Sequence, residues 1–545
     1  MNGVEQSGNQ HQGQLAVALV AVAVFATFIF GWRLNRDAFG NSDEGIHSVV
    51  TRAIVEKGDW LTLRFNDSLY FRKPPFSFWV RAVAAKLMGE SEFSVRFPSA
   101  LAGVLTTLLL AWWAWQWTRQ LRMAAVVGFM YPLLPMTFLH TWRSGEADGI
   151  LIFLLTLAAW LLWQSLRRPW LIVAAGAVLG LAFITKSVAA VVVPIGFGAM
   201  LLVRRHWPYR WPQVMATIGV FLAIILPWHI HQLVVHGRAF WNEYVGFHIV
   251  QRIEERLHTT PKLHGPLWYI PSVVRWMFPW SWLIVPAVAA SIRRIRQRVT
   301  DRGLEIFLMA WALGTVALYT LAATKLAWYI APAFPAMALL IGRLLVESAR
   351  QWPRWFIVLT AIFGLSYVYD VARRLRLGLS GKLSLGFFDP WMAAAVVVIV
   401  LIAIFIIAGR RPGGFTSAVR WLWLALIAHM SLVSIVITKQ SLSKVAESPH
   451  RVFRNSIEAQ NPHANVYIFS KGIYPQTGTQ LYLVGPNSQR TVKYLKQDPT
   501  ALQKVVDQDR GAFVIHNDLN PPAESLLSKL EFVRRYHEMS LYRVP

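Results

Sequence analysis

The chain has 545 residues, 55% of them hydrophobic and 15% charged, with a mean hydropathy of +0.41; this is the composition of a polytopic membrane protein and excludes a soluble globular one. The net charge of +26 falls in short breaks between apolar runs rather than on one basic face, so it reads as membrane topology and implies no nucleic-acid partner. With no cysteine, disulfides and thiolate metal sites are excluded in any compartment.

In chain order, the first apolar run covers 14–32. Its leading flank, MNGVEQSGNQHQGQ, lacks the basic residues of a signal peptide and no A-x-A-like cleavage site follows, so we expect a retained helix. A polar segment, 33–95, comes next and contains NSDEGIHSVVTRAIVEKGDWLTLRFNDSLYFRKPPFSFW. Further spans are expected at 96–117, 123–140, 149–166, 170–184, 188–203, 213–230, 268–291, 304–322, 328–346, 354–370, 390–408 and 416–437, about thirteen helices in all. Residues 1–438 thus form a transmembrane domain. Residues 439–545 mix short alternating strands (NVYIFSKG, TQLYLVG, GAFVIHN, FVRRYHEMSLYRV) with two short helices (ALQKVVDQD, PAESLLSKL), a small α/β domain. That domain has no Gly-rich phosphate loop and no nucleophile elbow, and we assign it no catalysis.

Arginines mark alternate loops: Arg119 and Arg122, Arg167 and Arg168, Arg204 and Arg205, Arg293 to Arg298, Arg350 and Arg354, Arg410 and Arg411. The positive-inside rule makes these cytoplasmic, which puts the 33–95 loop and the C-terminal domain on the outer side. One loop, with Arg373, Arg374, Arg376 and Lys382, disobeys: either the span count is off by one there or the loop meets an anionic partner.

At the outer helix ends stand Asp43, Glu44, Lys73, Arg143, Glu146, Asp148, Lys186, His229, His231, Lys325 and Tyr329. Lys73, Lys186 and Lys325 lie where cations are disfavoured, so together they ask for an anion such as a lipid phosphate. Each lysine alone could instead snorkel to the interface, and Asp43 or Asp148 could cap a helix. A carboxylate pair, Asp43 and Glu44, beside a lysine nevertheless suits acid–base chemistry on a phosphorylated lipid. Arg275, inside a span, is a candidate because intramembrane charge is costly. Six histidines fall between His229 and His264, but their spacing matches no zinc motif, and we expect no metal site.

The acidic pair, GDW, Y-F-x-K-P-P, SEFSVRFPSALAG and TKLAWYIAPAFPA resemble the GT-C glycosyltransferases of the protein O-mannosyltransferase superfamily, and within it the bacterial lipid A aminoarabinose transferases. The resemblance implies a helical membrane enzyme of about thirteen spans in the bacterial inner membrane, with its active site on the periplasmic side. It implies an inverting transfer of sugar from an undecaprenyl phosphate donor to lipid A phosphate, or to another envelope glycan or protein hydroxyl, with no cofactor beyond the lipid-linked substrate. Carried over by motif, Asp43 is the key acid with Glu44 beside it, Asp148 the second acid and Lys73 the phosphate ligand. Arg72, Lys186 and Lys325 are its expected helpers, and Tyr70, Tyr329, Arg275 and His47 the cavity lining. Arg72 stands where the aminoarabinose transferases have a glutamate associated with metal; a second cation there suits phosphate and argues against that metal. A flippase of the same lipids would also want outer cations, but it predicts inverted repeats, and none is visible. An assembly scaffold would leave the acids and lysines unexplained.

Overall fold

The structure is a computed structural model that describes residues 2–545 except 33, 36–42, 66–67, 138–140, 206, 252–264, 266, 278–279, 299–301, 323–324, 349–448, 470–491, 496, 518–520 and 537–538. Among the described residues seven helices are long and apolar enough to cross a membrane, or eight if one bent pair counts as a span. The expected spans 354–370, 390–408 and 416–437, the Arg373–Lys382 loop and the TQLYLVG strand lie outside the described residues.

The first membrane helix, α1 (Asn2–Gly31), packs on α4 (Glu92–Thr118) and on α5 (Leu121–Met130). Within the expected 123–140 span the described apolar helix is the short Leu121–Leu133, beyond which Pro135 withholds a backbone donor that a continuing helix needs; residues 138–140 lie outside the described residues. Next come α6 (Ala147–Ser165), α7 (Leu171–Lys186), α8 (Val192–Arg204) and α9 (Trp211–Phe240). A 3₁₀ turn over Ser187–Val191 separates α7 from α8; the stretch Leu171–Arg204 is one of the seven candidates counted above. The single span expected over 268–291 is instead broken: α10 (Tyr269–Trp276) meets the helical stretch Trp280–Arg296, whose regular part is α11 (Ile284–Arg296), at 114°. Residues 278–279 at that break lie outside the described residues. Then follow α12 (Arg302–Leu321) and α13 (Phe334–Ser348).

These helices have two chemically different ends. At one end Arg204 lies against the start of α12 at Gly303, and a buried cluster joins Glu305 to Arg294 at 2.7 Å and to Arg343 at 3.1 Å. Opposite it lie the C-terminus of α1, the N-termini of α4 and α6, and the C-termini of α7 and α12. Between the two ends one apolar core is built around Trp113, Trp142, Phe307 and Trp311. Side-chain shape limits approach there: a Cβ on Gly196 of α8 would sit 2.8 Å from the Trp311 backbone nitrogen, so only glycine lets α8 and α12 close together.

The 33–95 segment folds over the acidic end. It contains α2 (Asp43–Lys57), a two-residue hairpin of β1 (Arg64–Phe65) with β2 (Ser68–Leu69), and α3 (Phe76–Met88). Its own small core comprises Ile46, Val50, Ile54, Leu63, Tyr70, Phe78 and Ala82. The GDW step is structural: Asp59 Oδ1 accepts from the backbone N–H groups of Leu61 and Thr62, and the Trp60 carbonyl accepts from Trp79 Nε1 at 2.6 Å. Near the C-terminus, α14 (Pro449–Glu458), α15 (Pro499–Gln508) and the short α16 (Glu524–Leu527) accompany a five-stranded sheet ordered β4-β3-β5-β7-β6. Strands β4 (Val492–Tyr494), β3 (Val466–Phe469) and β5 (Phe513–Asn517) are parallel, while β6 (Glu531–Tyr536) and β7 (Met539–Arg543) form an antiparallel hairpin. The expected small α/β fold is therefore present.

Candidate active site

Two carboxylate–lysine pairs meet at the acidic end of the helices. Asp43 opens α2, and Lys73 lies in the turn before Pro74 and Pro75, with Pro75 at the N-cap of α3. Because proline fixes its own φ and restricts the residue before it, the Lys-Pro-Pro step holds Lys73 in one place. Its Nζ donates to Asp43 Oδ2 at 3.4 Å. The second pair joins α6 to α7: Lys186 Nζ donates to Asp148 Oδ1 at 2.5 Å, with both side chains largely buried. The Lys186 ammonium also lies over the Tyr329 ring, 5.1 Å from its centroid, and that ring packs on Tyr319. The pairs are electrostatically coupled, since Lys186 as well as Lys73 acts on Asp43.

Charge placement sets the protonation of this end. Lys73 is the largest influence on Asp43 and, against the opposing effect of burial, holds its carboxyl far below the usual carboxylate range. One helical turn on, His47 is only 1% exposed, with its ring edge-on to Phe78 at 5.0 Å. Burial, reinforced by Arg81, pulls its pKa down to about 3. It therefore stays neutral at any physiological pH. Burial first, then the charges of Asp43 and Asp148, push the Glu146 carboxyl well up. Two acids at one end, Asp43 and Glu146, are thus pushed in opposite directions, as sites that manage charge commonly do.

The other candidates separate into distinct places. Glu44 is buried and fully engaged: Oε1 accepts from Arg96 Nε at 2.7 Å and from the Gly145 N–H at 2.8 Å, and Oε2 accepts from Arg96 Nη2 at 3.0 Å. It ties α2 to α4 and to the loop that leads into α6. Arg143 donates to the carbonyls of Ile29, Phe30 and Trp32 and so closes the C-terminus of α1. Arg72 is half exposed and pairs with Glu243 at 3.6 Å. Lys325 is buried and donates to the Ala322 carbonyl at 2.6 Å. Tyr70 packs between Phe65 and Phe78 in the small core of the outer segment. Arg275 lies on the exposed face of α10 against Trp276, and no described contact brings it to the two pairs. Its intramembrane cost is relieved at the surface of α10 rather than within the site. Asp148 is inside α6, whose N-cap is Glu146, so it serves the lysine pair rather than the cap. Among the described residues no group of three or more His, Cys, Asp and Glu is arranged to hold a metal.

Sequence reasoning passed over three residues that the fold brings here: Arg96, Arg81 and Tyr244. Arg81 is wholly buried in α3 and donates to the Ser77 carbonyl. A charge inside an apolar stretch is the signal that singles out Arg275; it applies equally to Arg96 in SVRFPSA and Arg81 in FWVRAVA.

Comparison with known proteins bears on the family and the fold. The sequence pattern of the dolichyl-phosphate-mannose-protein mannosyltransferase family matches residues 72–231, which contain Arg72, Lys73, Asp148 and Lys186. An undecaprenyl phosphate-alpha-4-amino-4-deoxy-L-arabinose arabinosyl transferase of Pseudomonas aeruginosa is 29% identical over 325 residues, 56% of this chain and 56% of that protein. A second such transferase, from Sodalis glossinidius, is 27% identical over 61% of this chain and 60% of its own length. The chain therefore spans little more than half of the length of these relatives. The crystal structure of ArnT from Cupriavidus metallidurans bound to undecaprenyl phosphate superimposes with a TM-score of 0.73 at 21% identity, covering 97% of this chain and 98% of that one. The resemblance read from the sequence stands: the chain has the polytopic fold of ArnT and is related, over residues 72–231, to the dolichyl-phosphate-mannose-protein mannosyltransferase family.

Proposed function

We propose that this protein is an inverting membrane glycosyltransferase that moves a sugar from undecaprenyl phosphate to an acceptor on the outer face of the bacterial inner membrane. The observation that carries this reading is the meeting of Asp43–Lys73 with Asp148–Lys186 at one end of the membrane helices. Breaking the anomeric C–O bond leaves negative charge on the lipid phosphate, and fixed ammonium groups at a water-poor helix end lower that barrier. Lys73 and Lys186 take this role. Asp43, kept ionised by Lys73, serves as general base when the acceptor is a hydroxyl. When the acceptor is a phosphate, already a nucleophile, Asp43 and Asp148 orient the sugar. We assign Glu44 to holding the site together, because its carboxylate is bonded to Arg96 and to the Gly145 N–H. The basic far end of the bundle supports a cytoplasmic placement for that end and a periplasmic one for the site.

The names of its relatives favour 4-amino-4-deoxy-L-arabinose as the sugar, and the resemblance read from the sequence favours lipid A phosphate as the acceptor. The full chain in lipid nanodiscs, supplied with undecaprenyl phosphate-linked aminoarabinose and lipid A, should release undecaprenyl phosphate and add one aminoarabinose mass to lipid A. Asp43→Asn and Lys73→Ala should each abolish both products while inserting and folding normally. Full transfer by either variant refutes the site, and lipid movement without release of undecaprenyl phosphate indicates a flippase. The match to the mannosyltransferase family favours a second acceptor, a protein hydroxyl, which the same assay with an envelope protein substrate distinguishes.

A further inference from the structure

The turn that follows Lys186 is held from outside the helix that carries it. Helix α7 ends at Lys186, and Ser187 adopts φ 41° and ψ −115°, the geometry of the first central position of a type II′ turn, where glycine is the rule. A side chain there crowds the backbone, so the conformation persists only where surrounding contacts impose it. Three contacts are in place. Ser187 Oγ lies 2.7 Å from the Tyr244 hydroxyl, that hydroxyl lies 3.1 Å from His229 Nε2, and His229 Nδ1 lies 2.6 Å from the Ile225 carbonyl oxygen.

Elementary donor accounting gives this chain a direction. A carbonyl only accepts, so Nδ1 of His229 carries a proton; on a neutral ring Nε2 is then the acceptor. Tyr244 donates to His229, which leaves its oxygen to accept from Ser187. Tyr244 itself is immobilised, with its ring stacked on Phe240 at 4.9 Å and edge-on to Trp228 at 5.9 Å. The preceding residue, Glu243, pairs with Arg72 beside Lys73. One segment, Trp241–Gln251, therefore touches the chain neighbour of each paired lysine.

We propose that Ser187, Tyr244 and His229 are positioning residues, a hydrogen-bonded clamp that holds the turn after Lys186 so that its ammonium faces Asp148 and the donor phosphate. The phosphate part rests on the function proposed above; the clamp does not. Glycine adopts this turn unaided, whereas alanine keeps the crowding and loses the bond. Ser187→Ala and Tyr244→Phe should therefore release the turn, and Ser187→Gly should preserve it and rescue Tyr244→Phe.

Two measurements on the full chain in nanodiscs decide the matter. Acetylation of Lys186 by acetic anhydride, followed by mass spectrometry, should accelerate about threefold to tenfold in Ser187→Ala and Tyr244→Phe, the range expected for one lost hydrogen bond. It should stay at the wild-type rate in Ser187→Gly and in Ser187→Gly/Tyr244→Phe. In the transfer assay the same released variants should raise KM for the lipid-linked donor by a similar factor with kcat little changed. If Ser187→Gly behaves as Ser187→Ala, or if Tyr244→Phe leaves Lys186 labelling unchanged, the clamp is overturned. If wild type transfers no sugar, the proposed function falls while the labelling pattern still decides the clamp.

Discussion

Replacing Glu44 by glutamine tests whether the second member of the acidic pair does chemistry or holds the fold. Wild-type Glu44 and Arg96 are both nearly inaccessible, with side-chain exposures of 8% and 5%. Glutamine keeps the shape and one acceptor for the Gly145 N–H, but it removes the charge that offsets Arg96 and turns an amide donor toward Arg96 Nη2. Leaving one member of a buried pair uncompensated costs about 3–5 kcal/mol, whereas removing both charges together is far less damaging. Glu44→Gln should thus lose about 3 kcal/mol or more of stability, and Glu44→Gln/Arg96→Met should recover about 2 kcal/mol of it, a coupling typical of residues in direct contact. Reversible denaturation in mixed micelles measures both, and the nanodisc assay measures transfer in parallel. The reasoning is refuted if Glu44→Gln unfolds within about 1 kcal/mol of wild type, which is less than a single buried hydrogen-bonded charge should cost. A double variant that folds well yet transfers nothing would return Glu44 to the chemistry.

Three further outcomes follow from the site. Asp43, with its pKa depressed by Lys73, keeps its charge down through the folded-state value, so wild-type transfer should show no acid limb from Asp43 above about pH 4, the ordinary carboxylate range. In Lys73→Ala the chief lowering influence is gone and burial still raises the pKa, so a residual rate measured against pH should fall on the acid side at higher pH; an unshifted limb contradicts the pairing. Gly149→Ala would place a Cβ 2.8 Å from the Thr141 carbonyl oxygen at the start of α6; overpacking of this kind costs about 1–3 kcal/mol and should lower thermal stability and transfer together. Tyr329→Phe keeps the ring beneath Lys186 and should retain donor affinity, while Tyr329→Leu should weaken it by about 0.5–2 kcal/mol, the worth of a cation–π contact, as read by donor competition binding.

Much of the architecture was legible locally. Apolar runs of spanning length, arginines in alternate loops and a polar tail each depend on about twenty neighbouring residues or fewer, and the membrane domain, the outer loop segment and the small α/β tail are read from them. Where proline interrupts a run, as at Pro132, the run length overstates the helix. Asp43, Lys73, Asp148 and Lys186 were also legible as candidates, because, although each alone could snorkel or cap a helix, several lysines together on the side where cations are disfavoured ask for an anion. Their pairing was not. Asp43 meets Lys73 across 30 residues and Asp148 meets Lys186 across 38, while adjacent Asp43 and Glu44 part company, one toward Lys73 and the other into Arg96. Neighbours on a helix point about 100° apart, so which of them faces a partner is decided by how α2, α4 and α6 pack. Hydropathy is a property of a segment, and an ion pair is a property of two segments brought together; only the packed bundle specifies the second.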